Sequence, residues 1–316
     1  MKAIQLENHG GPEVLTIKEI PRPICQSNDV LIRVEAVGLN YVDTLIRGGN
    51  HSGLQHFPVV MPGEIEGVIE EVGEEVQFLC PGQRVTGYAN AGYAQYALIS
   101  GDQVTVLPAD LPNGRGMLIQ HLTAQNLLQQ ATGYHSLLIT AAAGGVGSSV
   151  IRIAKLKGIE TIIGMAGSSS KLEYIYALGA THVIIYTEEN WLEQLEQIIG
   201  NKGVDLILEA VGGDIGSSLI TRLSIGGTMV VYGNSSGQLS TVTLQSLIMP
   251  NTRVITARLY AVPTELRKRW ANEIFQWIRS GQLNTAITSY ALADAAQAHR
   301  DMESRVSTGR LILKPW

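Results

Sequence analysis

Residues Ala142 to Gly147 carry the pattern that points most directly to chemistry. They read Ala-Ala-Gly-Gly-Val-Gly and fit A-x-G-x-x-G, the dinucleotide-binding pattern with alanine in the first position. Gly144 would let the backbone approach a pyrophosphate, and Gly147 would let the following helix pack closely on the preceding strand. The N–H groups and the positive dipole end of that helix would bind the phosphates. A P-loop is excluded because no Lys-Ser or Lys-Thr pair follows the glycines, and a tight turn without any coenzyme is the alternative.

The residues after the next strand indicate which nucleotide would fit. Dinucleotide-binding proteins that select NADH place an acid there, about 20 residues beyond the glycines, to hold the ribose 2′-OH. In this chain the strand ends in Gly167, Ser168, Ser169, Ser170 and Lys171, and no acid appears before Glu173. Hydroxyls and a cation can donate hydrogen bonds to a 2′-phosphate, which a carboxylate would repel. The sequence therefore favours NADPH over NADH, although the serines could instead cap a helix.

The elements that must position these residues differ between the two parts of the chain. Up to about residue 118, short segments such as DVLIRVEAVG are rich in β-branched residues and are separated by Gly/Pro turns, which is typical of a compact barrel or sandwich. Beyond that residue, apolar strands alternate with amphipathic helices, which predicts βαβ units and a parallel sheet. The helix around ELRKRWANEIFQWIRSG and the last strand, GRLILK, need not belong to that sheet.

Composition narrows the function classes. A chain of 316 residues suits two domains, and a formal charge of −5 argues against a nucleic-acid binder. No apolar run approaches the roughly 20 residues of a membrane helix, and the N-terminus lacks a signal-peptide core, so we expect a cytoplasmic location. The two cysteines cannot form a four-cysteine zinc site, and the seven histidines are scattered. We therefore expect no metal site, and histidines that lie on the surface or cap helices.

Several segments together resemble one family. In chain order they are VEAVGLNYVDTLIRGG, PGEIEGVIEEVGEEV, GQRVTGY, AAAGGVG, LGATHVIIY, GVDLILEAVGG and GRLILKP. The chain resembles the medium-chain dehydrogenase/reductase superfamily, in its zinc-independent quinone oxidoreductase branch. The resemblance implies an α/β fold in which a doubly wound Rossmann sheet is inserted into a GroES-like β-barrel catalytic domain. The implied domains are residues 1–118 plus 261–316 for the catalytic part and 119–260 for the dinucleotide-binding part, with the coenzyme in the cleft.

The resemblance also implies what is missing. Zinc-dependent members place a cysteine where this chain has Asn40 and a histidine where it has Gly63, and they carry a cysteine-rich lobe that is absent after RVTGY. Without a Lewis acid, alcohol oxidation loses its usual activation of the hydroxyl. Reduction of a quinone or an α,β-unsaturated carbonyl needs less help, because conjugation already makes the acceptor electrophilic.

Site residues follow from the resemblance position by position. It implies a catalytic group near the nicotinamide and substrate, consisting of Asn40, Tyr41, Asp43 and Thr123. His121 stands where the family usually has glycine; it would narrow the site or supply a proton, or else only pack. Asp43 could instead be a turn or helix-cap aspartate, and Arg310 could be a solvated surface arginine. The implied coenzyme-binding residues are Gly144, Gly145, Val146, Gly147, Gly167, Ser168, Lys171, Tyr186, Tyr232, Gly233, Asn234, Leu259 and Arg310.

The sequence leaves three functions open. The preferred one is an NADPH-dependent reductase of quinones or enones. The alternatives are an enoyl-thioester reductase acting on coenzyme A or carrier-bound substrates, and a non-catalytic NADPH-binding protein. Relatives are commonly dimers, so we expect a homodimer, and the segment RVITARLY could supply an exposed sheet edge for it.

Overall fold

The structure is a computed structural model that describes residues 1–51, 54 and 56–316. The strands in these residues are β1 (Lys2–Leu6), β2 (Thr16–Glu19), β3 (Asp29–Gly38), β4 (Val59–Val60), β5 (Gly63–Val72), β6 (Arg84–Ala89), β7 (Tyr96–Ser100), β8 (Thr105–Val106), β9 (Ser136–Ile139), β10 (Thr161–Ala166), β11 (His182–Ile185), β12 (Val204–Glu209), β13 (Leu223–Val231), β14 (Arg253–Thr256), β15 (Ile287–Ala291) and β16 (Arg310–Lys314). The α-helices are α1 (Tyr41–Arg47), α2 (Ile119–Leu128), α3 (Gly145–Leu156), α4 (Leu172–Leu178), α5 (Trp191–Ile199), α6 (Gly213–Leu219), α7 (Leu244–Ile248), α8 (Thr264–Arg279) and α9 (Ala295–Glu303).

The first of two compact units contains residues 1–119 and 286–316. Its larger sheet has the strand order β15-β16-β3-β5-β6-β8, and β7 also pairs with β3. A smaller sheet has the order β2-β1-β4. Strand β3 pairs with three strands, so its apolar side chains Val30, Ile32 and Val34 are fully buried in the core. The C-terminal strand β16 completes this sheet next to β3, as the sequence allowed.

The second unit contains residues 120–285 and is built on a parallel sheet. Its order is β11-β10-β9-β12-β13-β14, and every pairing in it is parallel. Its central strands read as continuous apolar runs, because helices cover both faces of such a sheet. This confirms the predicted doubly wound sheet. The strand order reverses between β9 and β12, and ligands of such folds bind beyond the carboxyl ends of the strands at that point.

The second boundary between the units differs from the expected one. The sequence assigned residues 261–285 to the catalytic domain, whereas the structure groups them with the parallel sheet. A partly buried hydrogen bond links α8 to the second unit: Gln125 of α2 donates from Nε2 to Glu273 Oε2 of α8 at 2.7 Å. Trp270 and Ile274 of α8 are also buried.

In the described part of the chain, no helix is both long enough and apolar enough to cross a membrane.

Candidate functional site

The glycine turn lies between the carboxyl end of β9 and the start of α3. Gly144 is the residue before the helix, with an extended backbone, and no side chain caps the helix at this end. The turn is closed by hydrogen bonds from Gly144 N to Ala141 O at 3.0 Å and from Ser148 N to Gly144 O at 2.8 Å. An uncapped helix start leaves its first N–H groups available to an anion. The turn therefore has the form that a phosphate-binding site requires.

The glycines of the turn are needed for different reasons. A Cβ on Gly147 would lie 2.4 Å from the carbonyl oxygen of Ala141, so only glycine lets α3 approach the strand this closely. A Cβ on Gly145 would lie 2.2 Å from Oε1 of Gln120, because the amide of Gln120 rests on that glycine. On Gly144 the closest atom would be the carbonyl oxygen of Ala141 at 3.3 Å, a tight contact that a shift of a few tenths of an ångström relieves. Packing therefore requires glycine less strictly at Gly144 than at Gly145 and Gly147.

The segment after β10 presents hydroxyls. Ser168 caps a short 3₁₀ turn, accepting from Ser170 N at 3.3 Å, and the two side-chain oxygens lie 2.8 Å apart. Both serines are exposed. The ring of Tyr186 covers Gly167, where a Cβ would lie 2.9 Å from the tyrosine oxygen. The structure thus brings together Gly167, Ser168, Lys171 and Tyr186. Ser168 caps the turn, and both serines face solvent.

A buried acid that sequence reasoning missed lies at the carboxyl end of β12. Glu209 Oε1 accepts from Val211 N at 2.6 Å, from Gly212 N at 2.9 Å and from Thr140 Oγ1 at 3.3 Å. Burial raises the pKa of Glu209, and these hydrogen bonds oppose the rise. The carboxyl group therefore ties the ends of β9 and β12 together at the reversal of strand order. An acid that ends the apolar run DLILE was the available signal.

The segment after β13 is held against the same point. Ser235 N donates to Ala210 O and Ser236 N donates to Val211 O, both at 2.8 Å. These bonds place Tyr232, Gly233 and Asn234 at the carboxyl end of the sheet. Burial, and then the nearby Glu209, raise the pKa of the Tyr232 hydroxyl. Leu259 is buried in a short 3₁₀ turn after β14.

In the first unit, Asn40 begins α1. The N–H of Asn40 donates to Asp43 Oδ2 at 2.9 Å, and the Asn40 side chain accepts from the N–H of Asp43, which forms a capping box. Asn40 Nδ2 also lies 3.5 Å from Glu64 Oε2. Asn40 is 7% exposed, whereas Tyr41 is 37% exposed. The structure brings Asn40 and Asp43 together, and Thr123 belongs to the other unit.

A chain of buried polar groups extends from Asp43. Tyr93 Oη donates to Asp43 Oδ2 at 3.0 Å and lies 3.2 Å from Nε2 of His299. Nδ1 of His299 lies 3.1 Å from Nη1 of Arg47. The other terminal nitrogen of Arg47, Nη2, donates to Glu303 Oε1 at 2.5 Å. Arginine can only donate, so Nδ1 of His299 accepts and its Nε2–H donates to the Tyr93 hydroxyl. From Arg47 through His299 and Tyr93, each hydrogen bond is therefore donated in the direction of Asp43.

Burial shifts the pKa values of two groups in this network, Asp43 and His299. Burial raises the pKa of Asp43 from 3.8 to about 7, and the bonds from Asn40 and Tyr93 oppose the rise. Burial and then Arg47 lower the pKa of His299 to about 3. The expectation that histidines lie on the surface or cap helices is wrong for His299 and His121, which are 0% and 3% exposed.

Arg310 occupies the core of the first unit. It is 2% exposed, so the alternative of a solvated surface arginine is wrong. Burial lowers its pKa, and Glu64 and Glu66 oppose this. Burial raises the pKa of Glu64, and Arg310 opposes the rise most strongly. Glu64 also accepts from the backbone N–H groups of Leu118 and Ile119.

Comparison with known proteins identifies the family. Residues 26–126 match the alcohol dehydrogenase GroES-like domain, and residues 145–279 match the zinc-binding dehydrogenase domain. The chain is 33% identical to the quinone oxidoreductase of Mus musculus, with 99% of this chain and 97% of that protein covered. It is 31% identical to quinone oxidoreductase 1 of Escherichia coli K12, with 99% of each covered. The chain belongs to the quinone oxidoreductase branch of the medium-chain dehydrogenase/reductase superfamily. It is therefore an oxidoreductase.

Solved structures agree with this assignment. The Escherichia coli quinone oxidoreductase complexed with NADPH superimposes with a TM-score of 0.91 at 31% identity, covering 100% of both chains. The quinone oxidoreductase of Pseudomonas syringae pv. tomato DC3000 gives 0.90 at 31% identity, covering 99% of both chains. The resemblance and the GroES-like architecture stated from the sequence are confirmed. Among residues 1–51, 54 and 56–316, no three His, Cys, Asp or Glu side chains are grouped to hold a metal ion.

Proposed function

We propose that this protein oxidises NADPH and reduces a quinone or an α,β-unsaturated carbonyl. The observation that carries the proposal is the uncapped α3 turn at the reversal of strand order, beside a Ser168–Lys171 segment without a carboxylate. Relatives named quinone oxidoreductases, at 31–33% identity over nearly the whole chain, support the acceptor class. The Escherichia coli relative complexed with NADPH supports the choice of coenzyme.

The residues of the second unit fit this coenzyme. The N–H groups of Gly145, Val146 and Gly147 would hold the pyrophosphate, since Gly144 leaves space for it to approach. The hydroxyls of Ser168 and Ser170 and the Lys171 ammonium would hold the 2′-phosphate as hydrogen-bond donors. Tyr232, Gly233, Asn234, Leu259 and Thr123 would line the nicotinamide end. Bound NADPH supplies a hydride to the acceptor.

Asn40 is the residue of the first unit that we assign to the acceptor. Its side-chain oxygen is occupied by the N–H of Asp43, and one Nδ2 hydrogen points to Glu64. An amide has two Nδ2 hydrogens, so the second one can donate to a substrate oxygen. Such a donor stabilises the negative charge that develops on that oxygen as hydride arrives. One proton from water completes the reduction. Tyr41 and Asp43 flank this amide, and Asp43 orients it through the capping box.

A turnover assay tests the proposal. Purified protein is mixed with NADPH or NADH and with quinones, enones and enoyl thioesters, and the absorbance of the reduced nicotinamide is followed. We expect oxidation of NADPH with quinones or enones, and slower oxidation of NADH. Tight NADPH binding without oxidation across the panel would favour the non-catalytic alternative. Turnover of enoyl thioesters alone would favour the enoyl reductase alternative.

We also propose that the protein is a homodimer paired through β14. This strand is the last of the parallel sheet, and its outer edge pairs with no strand among the described residues. Exposed apolar side chains lie in the neighbouring strand β13 and in the segment that leads into β14: Ile225, Leu244, Ile248 and Met249 are 86%, 78%, 71% and 87% exposed. An open edge beside apolar surface favours association with a second copy.

A further inference from the structure

We propose that His121 is a positioning residue for the coenzyme. It would hold the helix that contacts the nicotinamide at a set position relative to the turn that binds the pyrophosphate. The inference rests on the proposed NADPH site and assigns a role to a side chain that replaces the family's usual glycine.

The link consists of two hydrogen bonds inside the second unit. Nδ1 of His121, in the first turn of α2, lies 2.8 Å from Oγ of Ser149 in α3. Ser149 Oγ lies 2.8 Å from the carbonyl oxygen of Gly145. Both side chains are buried, with His121 3% and Ser149 0% exposed. Water cannot replace either partner at such burial, so a lost bond leaves an unsatisfied group.

The direction of these bonds determines the tautomer of His121. A carbonyl oxygen can only accept, so the single hydroxyl hydrogen of Ser149 is donated to Gly145. Ser149 Oγ must then accept from His121, and Nδ1 carries the hydrogen. This hydrogen is present in both the neutral and the protonated imidazole, so the link does not depend on the charge of His121.

The neighbouring residue supplies a second point of attachment. The side-chain amide of Gln120 rests on Gly145, at 2.2 Å from the place where a Cβ would be. The first turn of α2 is therefore attached to the first turn of α3 by Gln120 through packing and by His121 through hydrogen bonding. Thr123, which we assign to the nicotinamide amide, lies in the same helix. These two contacts therefore connect the helix of Thr123 to the pyrophosphate turn.

The adjacent serine makes a corresponding link in another direction. Tyr174 of α4 donates from its hydroxyl to Ser148 Oγ at 3.1 Å, and Ser148 is 0% exposed. Helix α4 follows the Ser168–Lys171 segment. Ser148 therefore connects the pyrophosphate turn to the 2′-phosphate segment, and Ser149 connects it to the nicotinamide helix. The two serines allow the adenosine and nicotinamide ends to be perturbed separately.

The test compares the affinity for NADPH with that for 2′-phospho-ADP-ribose, which lacks only the nicotinamide. Fluorescence or calorimetric titration of the full chain gives both dissociation constants for wild type, H121A, H121N and S149A. We expect H121A and S149A to weaken NADPH binding about tenfold, as expected for one buried hydrogen bond, and fragment binding less than about twofold. H121N keeps an N–H near the position of Nδ1 and should restore most of the affinity.

Two controls separate positioning from general stability. H135A makes the same substitution at an exposed histidine of the same unit and should change neither constant. The double variant H121A/S149A should be no weaker than the weaker single variant, because both act through one link. Thermal unfolding of each variant verifies that it is folded, and H121N with S149A suffices if H121A does not fold.

The outcomes distinguish this inference from the proposed function. If wild type binds NADPH and the variants lose affinity for both ligands equally, or for neither, His121 is not a positioning residue and the proposed function stands. If wild type binds neither NADPH nor the fragment, the proposed coenzyme site is wrong and the inference is wrong with it.

Discussion

The hydroxyl of Tyr93 donates to Asp43 Oδ2 at 3.0 Å, and Asp43 in turn accepts the backbone N–H of Asn40 at 2.9 Å. Tyr93, which lies between β6 and β7, is therefore linked through Asp43 to Asn40, the residue whose side-chain amide we assign to the substrate. His299 and Arg47 lie behind the tyrosine and orient its hydroxyl. The position of Asn40 thus depends on residues far away in the sequence.

Replacement of Tyr93 by phenylalanine tests this dependence. Y93F removes one hydroxyl and leaves Asp43 Oδ2 and His299 Nε2 each short of a buried partner. We expect a loss of about 1–3 kcal/mol in the free energy of unfolding, measured by denaturant titration. We also expect a fall in kcat for quinone reduction. Y96F, at a half-buried tyrosine of the same unit, serves as the control; equal effects in both variants would contradict the proposed link.

Stability should depend on pH through two opposing groups. The pKa of Asp43 is raised to about 7, so its neutral form stabilises the fold at low pH, and this contribution is lost as the pH rises from about 4 to about 7. The pKa of His299 is lowered to about 3, so its contribution is present above about 6.5 and is lost as the pH falls. The two effects oppose each other between about pH 4 and 6.5.

The variant D43N removes only the first effect. We expect its free energy of unfolding to rise more steeply with pH than that of wild type between about pH 4 and 7. Asn can still accept from Tyr93 and from the Asn40 N–H, so the fold should be retained. Urea titrations at several pH values measure the difference in unfolding free energy between wild type and D43N. Other buried carboxyls such as Glu64 and Glu209 are present in both proteins, so their contributions cancel in this difference. Parallel curves for the two proteins would show that the pKa of Asp43 is the same in the folded and unfolded states.

Two glycines of the α3 turn should respond differently to alanine. In G144A the methyl group requires only a small shift away from the Ala141 oxygen at 3.3 Å, so we expect a folded protein. Its NADPH affinity should fall at least about tenfold, because the methyl group blocks the pyrophosphate. In G147A the methyl group meets the backbone oxygen of Ala141, and we expect a loss of several kcal/mol in unfolding free energy. Calorimetric titration and denaturant unfolding separate the two. Undiminished NADPH binding by G144A would contradict the proposed approach of the pyrophosphate.

Coenzyme preference should depend on Ser168. S168D places a carboxylate where the 2′-phosphate would bind, and it still accepts from the N–H of Ser170. Loss of a charge-assisted hydrogen bond and added repulsion should weaken NADPH binding about 10- to 100-fold. NADH binding should change little or improve. The ratio of the two dissociation constants is the measurement, S169A is the neighbouring control, and equal weakening of both coenzymes would count against the assignment.

Association should depend on the apolar surface beside β14. I248E places a charge on a side chain that is 71% exposed, so the folded monomer should tolerate it. We expect light scattering to give a dimer for wild type and a monomer for the variant. I24E, at a side chain of the other unit that is 78% exposed, should remain dimeric. A monomeric wild type would exclude the proposed dimer.

Local patterns were sufficient for the architecture and for the coenzyme turn. The A-x-G-x-x-G turn between an apolar run and a helix predicts β9 and α3, because strand, turn and helix are neighbours in sequence. The segment RVITARLY predicted a strand, and the structure forms one over Arg253–Thr256. The roles assigned to Asn40, Thr123 and the coenzyme residues remain predictions.

Contacts between distant residues could not be predicted in the same way. Tyr93 and His299 are 206 positions apart, and Arg47 and His299 are 252 apart. Their types suggested nothing, since an isolated buried histidine and a surface histidine look alike in a sequence. The helix from Thr264 to Arg279 was placed in the other domain for a related reason. Its Glu273 pairs with Gln125 of α2, and no local sequence pattern connects these two side chains.

The split composition of the first unit has a consequence for synthesis on the ribosome. Its sheet needs β15 and β16, which are made after the whole of the second unit. The second unit is continuous in sequence and can close as it emerges, since domains generally fold as units during synthesis. Until β16 and the helix that carries His299 leave the exit tunnel, Val37 and Gly38 of β3 lack one partner strand and Tyr93 lacks the imidazole that orients it. The amide assigned to substrate is therefore among the last features of the newborn polypeptide to reach its working arrangement.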